Sequence, residues 1–236
     1  MELFYGRLDD EKLMLFDAEE STHLVKVLRH KAGDRIHAMD GSGILYTVEL
    51  QECSPKGSAG RIVEADRNWD NREYRIELAV SPTKNNERYE WMGEKVTEVG
   101  IDVLSPVIGE RSERKVYKTD RMRRILLSAA KQSLKTRIPQ VMEPVSVLDF
   151  IRNAPDKALK LIAFCFEGEK VSIKEALEKS PFQDIVILIG PEGDFSPKEV
   201  AEALKAGFKP VHLGPSRLRT ETAALCAVMS VYNKYM

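Results

Sequence analysis

The stretch of residues 185–222 constrains the fold most, because it places a strand, a glycine loop and a well-marked helix start in direct succession. Residues 185–189 are five consecutive apolar residues, most of them β-branched, and Gly190-Pro191 closes the run. Such a run is typical of a strand that is buried on both faces of a parallel sheet. Ser196-Pro197-Lys198-Glu199 then predicts a helix start with a capping box, and Gly207 ends that helix.

A second strand and a second glycine loop follow this helix. Residues 208–213 predict a short strand, Gly214-Pro215 a turn, and residues 223–232 a final helix that is apolar on nearly every side. Two strand ends therefore present two glycine loops, which is where ligands bind in open α/β sheets. Any turn between a strand and a helix can use Gly for positive φ and Thr for a cap, so the loops alone leave a purely structural interpretation open.

The full string of residues in the two loops favours a ligand site. Gly190-Pro191-Glu192-Gly193 with Phe195-Ser196, followed by Leu213-Gly214 and by Leu218-Arg219-Thr220-Glu221-Thr222-Ala223, resembles the last two motifs of the SPOUT superfamily of RNA methyltransferases. The Arg-Thr-Glu-Thr-Ala ending is most similar to the RsmE family, which methylates N3 of a uridine in 16S (small-subunit) ribosomal RNA. The resemblance implies a SPOUT-type α/β knot: a mostly parallel sheet, a deep trefoil knot at the carboxyl end, and a homodimer.

The amino-terminal part resembles the RNA-binding domain of the same family. Strands are predicted at residues 3–5, 13–16, 35–39, 44–50 and 58–65, with one helix that Asp17 caps and that runs to about His30 before Gly33 stops it. Thr22-His23-Leu24 with Val27-Leu28-Arg29 resembles the start of the family's PUA-like RNA-binding domain, a small β-barrel. We therefore expect a PUA-like domain over residues 1–70, a linker at 67–72, and a methyltransferase domain over residues 71–236.

The second domain alternates strands and helices, which predicts a largely parallel sheet with helices on both faces. Further strands are predicted at residues 76–80, 103–108 and 160–166, and further helices at 86–99, 119–134, 146–152 and 172–178.

Composition excludes several classes of protein. The chain has 236 residues, 43% of them hydrophobic, but no run approaches the length of a membrane span, and its first residues lack a basic, apolar leader. The three cysteines and four histidines show no ligand spacing, which predicts no metal site. There is no G-x-x-x-x-G-K-[ST] phosphate loop either. A cytoplasmic protein without membrane or metal partners is expected.

Charge is concentrated in one segment. The net charge is only −1, yet residues 110–137 hold ten Lys or Arg against three acids, a local excess of +7. Residues 121, 124, 131 and 135 form one stripe of the predicted helix, which suits a phosphate-binding face but also a solvated or membrane-surface helix. The predicted RNA-binding residues are His23, Lys26, Arg29, Arg111, Arg121, Arg124, Lys131, Lys135 and Arg137.

The resemblance implies S-adenosyl-L-methionine as cofactor, held by the loops after Phe164, Ile189 and Leu213. The expected cofactor-binding residues are Phe166, Glu167, Ile189, Gly190, Pro191, Glu192, Gly193, Leu213, Gly214, Leu218, Thr220, Thr222 and Ala223. Because methylation of uracil N3 removes a proton and leaves an anion, a positioned Arg and a carboxylate or a water are needed. Arg219 and Glu221 are the candidates. Alternatively, Arg219 pairs with Glu221 or Glu192 and orders the loop. Thr220 and Thr222 are expected to be helix caps whose amides or hydroxyls also contact the cofactor.

Some positions depart from the family pattern, and other functions remain open. Asp194 stands where the pattern usually has Gly, and Lys131 and Thr136 also differ from it. The alternatives are a SPOUT methyltransferase that acts on another RNA position or on a ribose 2'-hydroxyl, and a non-catalytic RNA-binding or ribosome-assembly factor.

Overall fold

The computed structural model describes residues 1–9 and 12–236, which form two compact units. The first unit comprises Met1–Arg72 together with Leu127–Ile138, and the second comprises Glu73–Leu126 together with Pro139–Met236.

The first unit is a curled six-stranded sheet with one short helix. Only the β1–β4 pair is parallel, and the strand order is β1-β4-β5-β6-β3-β2. Its core includes Phe4, Met14, Phe16, Leu24 and Val48, which are all buried. The elements are β1 (Leu3–Tyr5), β2 (Arg7–Leu8), β3 (Leu13–Phe16), α1 (Ala18–Thr22), β4 (Arg35–Met39), β5 (Leu45–Glu52) and β6 (Ser58–Asp66).

The helix of the first unit begins as predicted but ends earlier. The Asp17 side chain accepts a hydrogen bond from the Glu20 amide, and α1 continues as a π-helical turn over His23–Val27. Arg29 then adopts a left-handed φ of 60°, and the chain leaves the helix there. The helical segment therefore ends at Val27, shortly before the predicted end at about His30, and the chain turns first at Arg29 and not at Gly33, whose φ is also positive at 92°.

The predicted linker at residues 67–72 packs within the first unit. The indole Nε1 of Trp69 donates to the Leu134 carbonyl at 2.9 Å, and an Asp70 carboxylate oxygen accepts from the Arg137 amide at 3.0 Å. Asp70 is buried. The segment therefore belongs to the first unit, to which Trp69 and Asp70 attach it through residues more than sixty positions away along the chain.

The second unit is an eight-stranded, entirely parallel sheet with helices. Its order is β10-β8-β7-β13-β11-β14-β12, and β9 pairs with β8. The elements are β7 (Arg75–Val80), α2 (Asn86–Val99), β8 (Val103–Ile108), α3 (Asp120–Gln132, which the division into units cuts), β9 (Gln140–Val141), β10 (Val145–Ser146), α4 (Val147–Asn153), β11 (Leu159–Ala163), β12 (Val171–Ser172), α5 (Ile173–Glu178), β13 (Asp184–Ile189), α6 (Pro197–Lys205), β14 (Lys209–His212) and α7 (Thr220–Tyr235).

The predicted buried strand is the centre of this sheet. Every residue from 185 to 189 is buried, and β13 lies between β7 and β11 with parallel pairing on both sides. The capping box is also confirmed, since Ser196 Oγ accepts from the Glu199 amide and the Glu199 carboxylate accepts from the Ser196 amide. Strand β11 is shorter than predicted and ends at Ala163.

The last helix begins at Thr220, three residues earlier than predicted, with Arg219 as its N-cap residue. Thr220 and Thr222 are therefore inside the helix, and their predicted role as caps is wrong. The Thr220 hydroxyl instead donates to the Gly190 carbonyl at 3.1 Å, a buried contact with the other glycine loop.

The expected fold class is confirmed as a mixed α/β structure with a parallel sheet and a separate small, mostly antiparallel domain. The trefoil knot stays a prediction.

Candidate functional site

A cavity of about 840 Å³ lies in the second unit, where the chain leaves β11, β13 and β14. Its volume is in the range of small-molecule sites, and it sits at the carboxyl ends of parallel strands, where such sites form. Ten of the predicted cofactor-binding residues line it: Ile189, Gly190, Pro191, Glu192, Gly193, Leu213, Gly214, Leu218, Thr220 and Ala223. Phe166, Glu167 and Thr222 were predicted as well, but they are not among its lining residues.

The loop after β13 is tightly packed around its glycines. A Cβ on Gly190 would lie 3.1 Å from the Phe195 ring, and a Cβ on Gly193 would lie 3.0 Å from the Arg111 carbonyl oxygen. Both are closer than most real Cβ contacts. The Glu192 carboxylate fixes the loop further, since it accepts from the Lys84 amide at 2.9 Å.

Arg219 and Glu221, the two predicted catalytic residues, have different surroundings. Arg219 is exposed and lines the cavity. Glu221 is buried, does not line the cavity, and has its Oε1 3.9 Å from Nε of Arg88 on α2. Among the residues that the structure describes, no ion pair joins Arg219 to Glu221 or to Glu192. The Arg219 guanidinium is thus available to a bound molecule.

Three charged residues of the cavity lining were absent from the prediction: Lys170, Asp194 and Arg217. Asp194 and Arg217 lie inside the two glycine loops, so the sequence could have predicted them as lining residues. Lys170 lies in no recognised pattern and could not have been predicted in this way. Lys170 pairs with the Phe166 carbonyl, and its Nζ lies 4.6 Å from the centre of the Phe164 ring.

Several of the predicted RNA-binding cations have partners within the protein. Nη1 of Arg111 donates to the carbonyls of Gly193 and Phe195 at 3.4 and 3.3 Å. Lys131 pairs with the nearly buried Glu20. Arg121 pairs with Glu90 at 2.8 Å, although 71% of the Arg121 side chain is exposed.

The remaining cations of that set are more open to solvent. His23, Lys26, Arg29 and Arg124 are exposed, and Lys135 is partly exposed. Arg137 is partly exposed and forms isolated β-bridges with Gly41 and Ser42. The charge excess of residues 110–137 is therefore divided between structural contacts and solvent-exposed groups.

Within residues 1–9 and 12–236, no group of three or more His, Cys, Asp or Glu side chains could hold a metal ion. Over the same residues, no helix combines the length and the hydropathy that crossing a membrane would require.

Comparison with known proteins identifies the family. The model of an RNA methyltransferase domain matches residues 70–232, and that of an RNA methyltransferase PUA domain matches residues 16–63. Ribosomal RNA small subunit methyltransferase E of Aquifex aeolicus is 32% identical, over 99% of this chain and all of its own. This chain belongs to the same family. The predictions of an RNA methyltransferase and of a PUA domain are thereby confirmed.

Solved structures agree with this assignment. A probable rRNA methyltransferase from Porphyromonas gingivalis superposes with a TM-score of 0.87 and 36% identity, over 100% of this chain and 98% of that one. The ribosomal RNA small subunit methyltransferase E of Neisseria gonorrhoeae, solved bound to S-adenosyl methionine, gives a TM-score of 0.85 and 28% identity over the same shares.

Proposed function

We propose that this protein transfers the methyl group of S-adenosyl-L-methionine to N3 of a uridine in 16S ribosomal RNA, which gives 3-methyluridine. The observation that carries the proposal is the cavity, because its lining brings the Gly190 loop and the Gly214 loop together with Arg219. A family relative is solved with S-adenosyl methionine bound. Gly190 and Gly193 both line the cavity, and because neither has a side chain, their backbone groups can approach a bound cofactor closely.

In this reaction the protein binds the uracil base and assists the removal of the proton from N3. S-adenosyl-L-methionine supplies an electrophilic methyl group. The uridine must be unpaired to present N3, which lies on its Watson-Crick edge. The Arg219 guanidinium stabilises the negative charge that develops on the ring as N3 loses its proton. A carboxylate or a water accepts that proton.

Two carboxylates are candidates for the proton acceptor. Glu221 was predicted, but its side chain lies 3.9 Å from Arg88 on α2 and does not line the cavity, which supports a structural role in place of a catalytic one. Glu192 lines the cavity and is exposed, with one oxygen held by the Lys84 amide. Comparison of the E192Q and E221Q variants at saturating cofactor separates these roles, since loss of a general base lowers kcat by about 100-fold or more.

The RNA is bound by residues outside the cavity. We assign residues 1–70 to RNA binding and residues 71–236 to methyl transfer. His23, Lys26, Arg29, Arg124 and Lys135 are the cations for phosphate contacts. Binding through phosphates weakens steeply with salt, so a substitution of Lys26 or Arg124 should reduce the salt dependence of binding. We further propose that the protein works as a homodimer in the cytoplasm, on free 16S RNA or on the assembled small subunit.

The experiment supplies labelled S-adenosyl-L-methionine and small ribosomal subunits from cells that lack this gene, followed by digestion of the RNA and identification of the labelled nucleoside. We expect label in 3-methyluridine, and a loss of at least 100-fold in the R219A variant with cofactor binding retained. R152A is the control, because Arg152 is exposed on α4 and pairs with Asp149. Label in a ribose-methylated nucleoside, or in none, would refute the proposed reaction.

A further inference from the structure

Asp194 joins two loops of the cavity through both of its carboxylate oxygens. Oδ2 accepts from the amide of Cys165 at 2.8 Å, and Oδ1 accepts from the amide of Phe195 at 2.8 Å. Asp194 and Cys165 both line the cavity. The carboxylate thus ties the loop after β11, residues 164–170, to the loop after β13, residues 190–195.

The backbone at Asp194 adopts a conformation that few residues take. Its φ is 62°, in the left-handed region, where Asp and Asn are tolerated better than other non-glycine residues. The pattern that this loop resembles usually has Gly at this position, and Gly has no side chain with which to reach Cys165. The link between the two loops is therefore a property that the aspartate adds to this chain.

The side chains of Lys170 and Arg111 also contact the loop of residues 164–170. Within the loop after β11, Lys170 pairs with the Phe166 carbonyl and covers the Phe164 ring, so these contacts stay inside the loop. Arg111 adds a second connection from outside. Its guanidinium carbon lies 5.8 Å from the centre of the Phe166 ring, while Nη1 donates to the two carbonyls that flank Asp194.

We propose that Asp194 is a positioning residue that fixes the loop of residues 164–170 at the cavity before the cofactor binds, and so increases affinity for S-adenosyl-L-methionine. The inference rests on the cofactor part of the proposed function. A loop that is ordered in advance loses less conformational freedom on binding, which strengthens binding without any new contact to the ligand. Arg111 supports the same arrangement from the other side of the loop.

The test is calorimetric titration of S-adenosyl-L-methionine into wild-type protein and into the D194G and D194N variants, without RNA. Glycine accepts the left-handed φ without strain, so D194G removes the carboxylate alone, and we expect Kd to rise roughly tenfold. Asparagine keeps one acceptor oxygen and tolerates the φ, so D194N should recover part of the affinity. D184N is the control, because Asp184 is an exposed residue at the start of β13 that does not line the cavity.

A second measurement separates positioning from a general loss of structure. If the carboxylate acts only by positioning the loop, D194G should raise KM for the cofactor about tenfold and leave kcat within about twofold. Hydrogen exchange at the Cys165 amide should also accelerate in D194G while the strands of the sheet keep their protection.

The outcomes distinguish this inference from the proposed function. Wild-type and D194G proteins that bind the cofactor equally well, within twofold, would overturn the inference and leave the proposed function intact. A wild-type protein that binds S-adenosyl-L-methionine but labels no uridine would overturn the proposed reaction alone. Wild-type protein that binds no S-adenosyl-L-methionine would overturn both.

Discussion

Glu199 tests how the start of α6, directly after the loop of residues 190–195, is held in place. Its side chain is only 2% exposed. Oε2 accepts from the Ser196 amide at 2.7 Å and closes the capping box of α6. Oε1 accepts from the Glu110 amide at 2.9 Å and so holds the segment after β8 against the start of this helix. One buried carboxylate thus satisfies two backbone donors from distant parts of the second unit.

The Glu199→Gln variant keeps the shape of the side chain but has only one acceptor oxygen. Its amide nitrogen must face either the Ser196 or the Glu110 amide, so that two hydrogen-bond donors face each other and one backbone N–H loses its acceptor. A hydrogen bond to a charged group contributes about 1.5–3 kcal/mol, and a buried donor left without a partner carries a similar cost. We therefore expect the free energy of unfolding to fall by about 2–3 kcal/mol, a large part of the roughly 5–15 kcal/mol that is typical of a domain.

Urea unfolding of the second unit measures this change. The chain has two tryptophans, and in a Trp69→Phe background the fluorescence of Trp91 on α2 reports on the second unit alone. Glu202→Gln is the matched control on the same helix, because Glu202 pairs there with the exposed Lys205 at 2.8 Å. An exposed pair of this kind contributes less than about 1 kcal/mol.

The reasoning would be refuted if Glu199→Gln unfolded within about 0.5 kcal/mol of the parent protein with an unchanged dependence on urea. Such a result would mean that water replaces the carboxylate at both amides. An equal loss in Glu202→Gln would also contradict it, because the effect would then belong to helix charge and not to the buried acceptor.

Two further predictions concern the cavity, and a third concerns Tyr117, which packs against Tyr89 of the core. Thr220→Val should lower the free energy of unfolding by about 1–2 kcal/mol and weaken cofactor binding, because the buried Gly190 carbonyl loses its hydroxyl donor. Thermal unfolding and calorimetry measure the two effects, and unchanged values would show that this hydrogen bond does not stabilise the cavity. Gly193→Ala should raise the cofactor Kd about tenfold or more in calorimetry, because the new methyl group would lie 3.0 Å from the Arg111 carbonyl oxygen. Burial raises the pKa of Tyr117 to about 12 from its ordinary value of 10.0, so its contribution to stability is full below pH 10 and is lost as the pH rises through 12. Phenolate absorbance followed against pH should show one tyrosine that ionises near pH 12 in the parent protein, and this step should be absent in Tyr117→Phe. A Tyr117 that titrates near 10 would contradict the prediction.

The local elements of the second unit could be predicted from the sequence because short-range chemistry determines them. Five apolar residues between turns specify a buried strand, and Ser196 with Glu199 specifies a helix start, as the structure confirms. Since carboxyl ends of parallel strands meet at one edge of a sheet, the pattern also predicted that the Gly190 and Gly214 loops would face one cavity, which they do.

The partners of charged side chains could not be predicted in the same way. Arg111 was expected to contact RNA, yet it donates to carbonyls 82 and 84 positions away, and Lys131 pairs with a carboxylate 111 positions away. A basic stripe on a helix predicts where cations lie but not which of them an acid or a carbonyl from another element will reach. Both cations therefore have partners within the protein that the sequence did not show, and their contact with RNA stays a prediction.

By itself, the sequence determined the strands, the helix starts and the two glycine loops of the second unit, because those features follow from periodicity, turn chemistry and capping over a few residues. The set of residues expected to line a cofactor site came from the family resemblance, and ten of them line the cavity. Only the tertiary structure decided that Arg219 faces the cavity while Glu221 turns to Arg88, and that Asp194 reaches the Cys165 amide. The physical reason is that a side chain's partner depends on which distant segment the packed sheet brings within about 3 Å, the distance of a hydrogen bond.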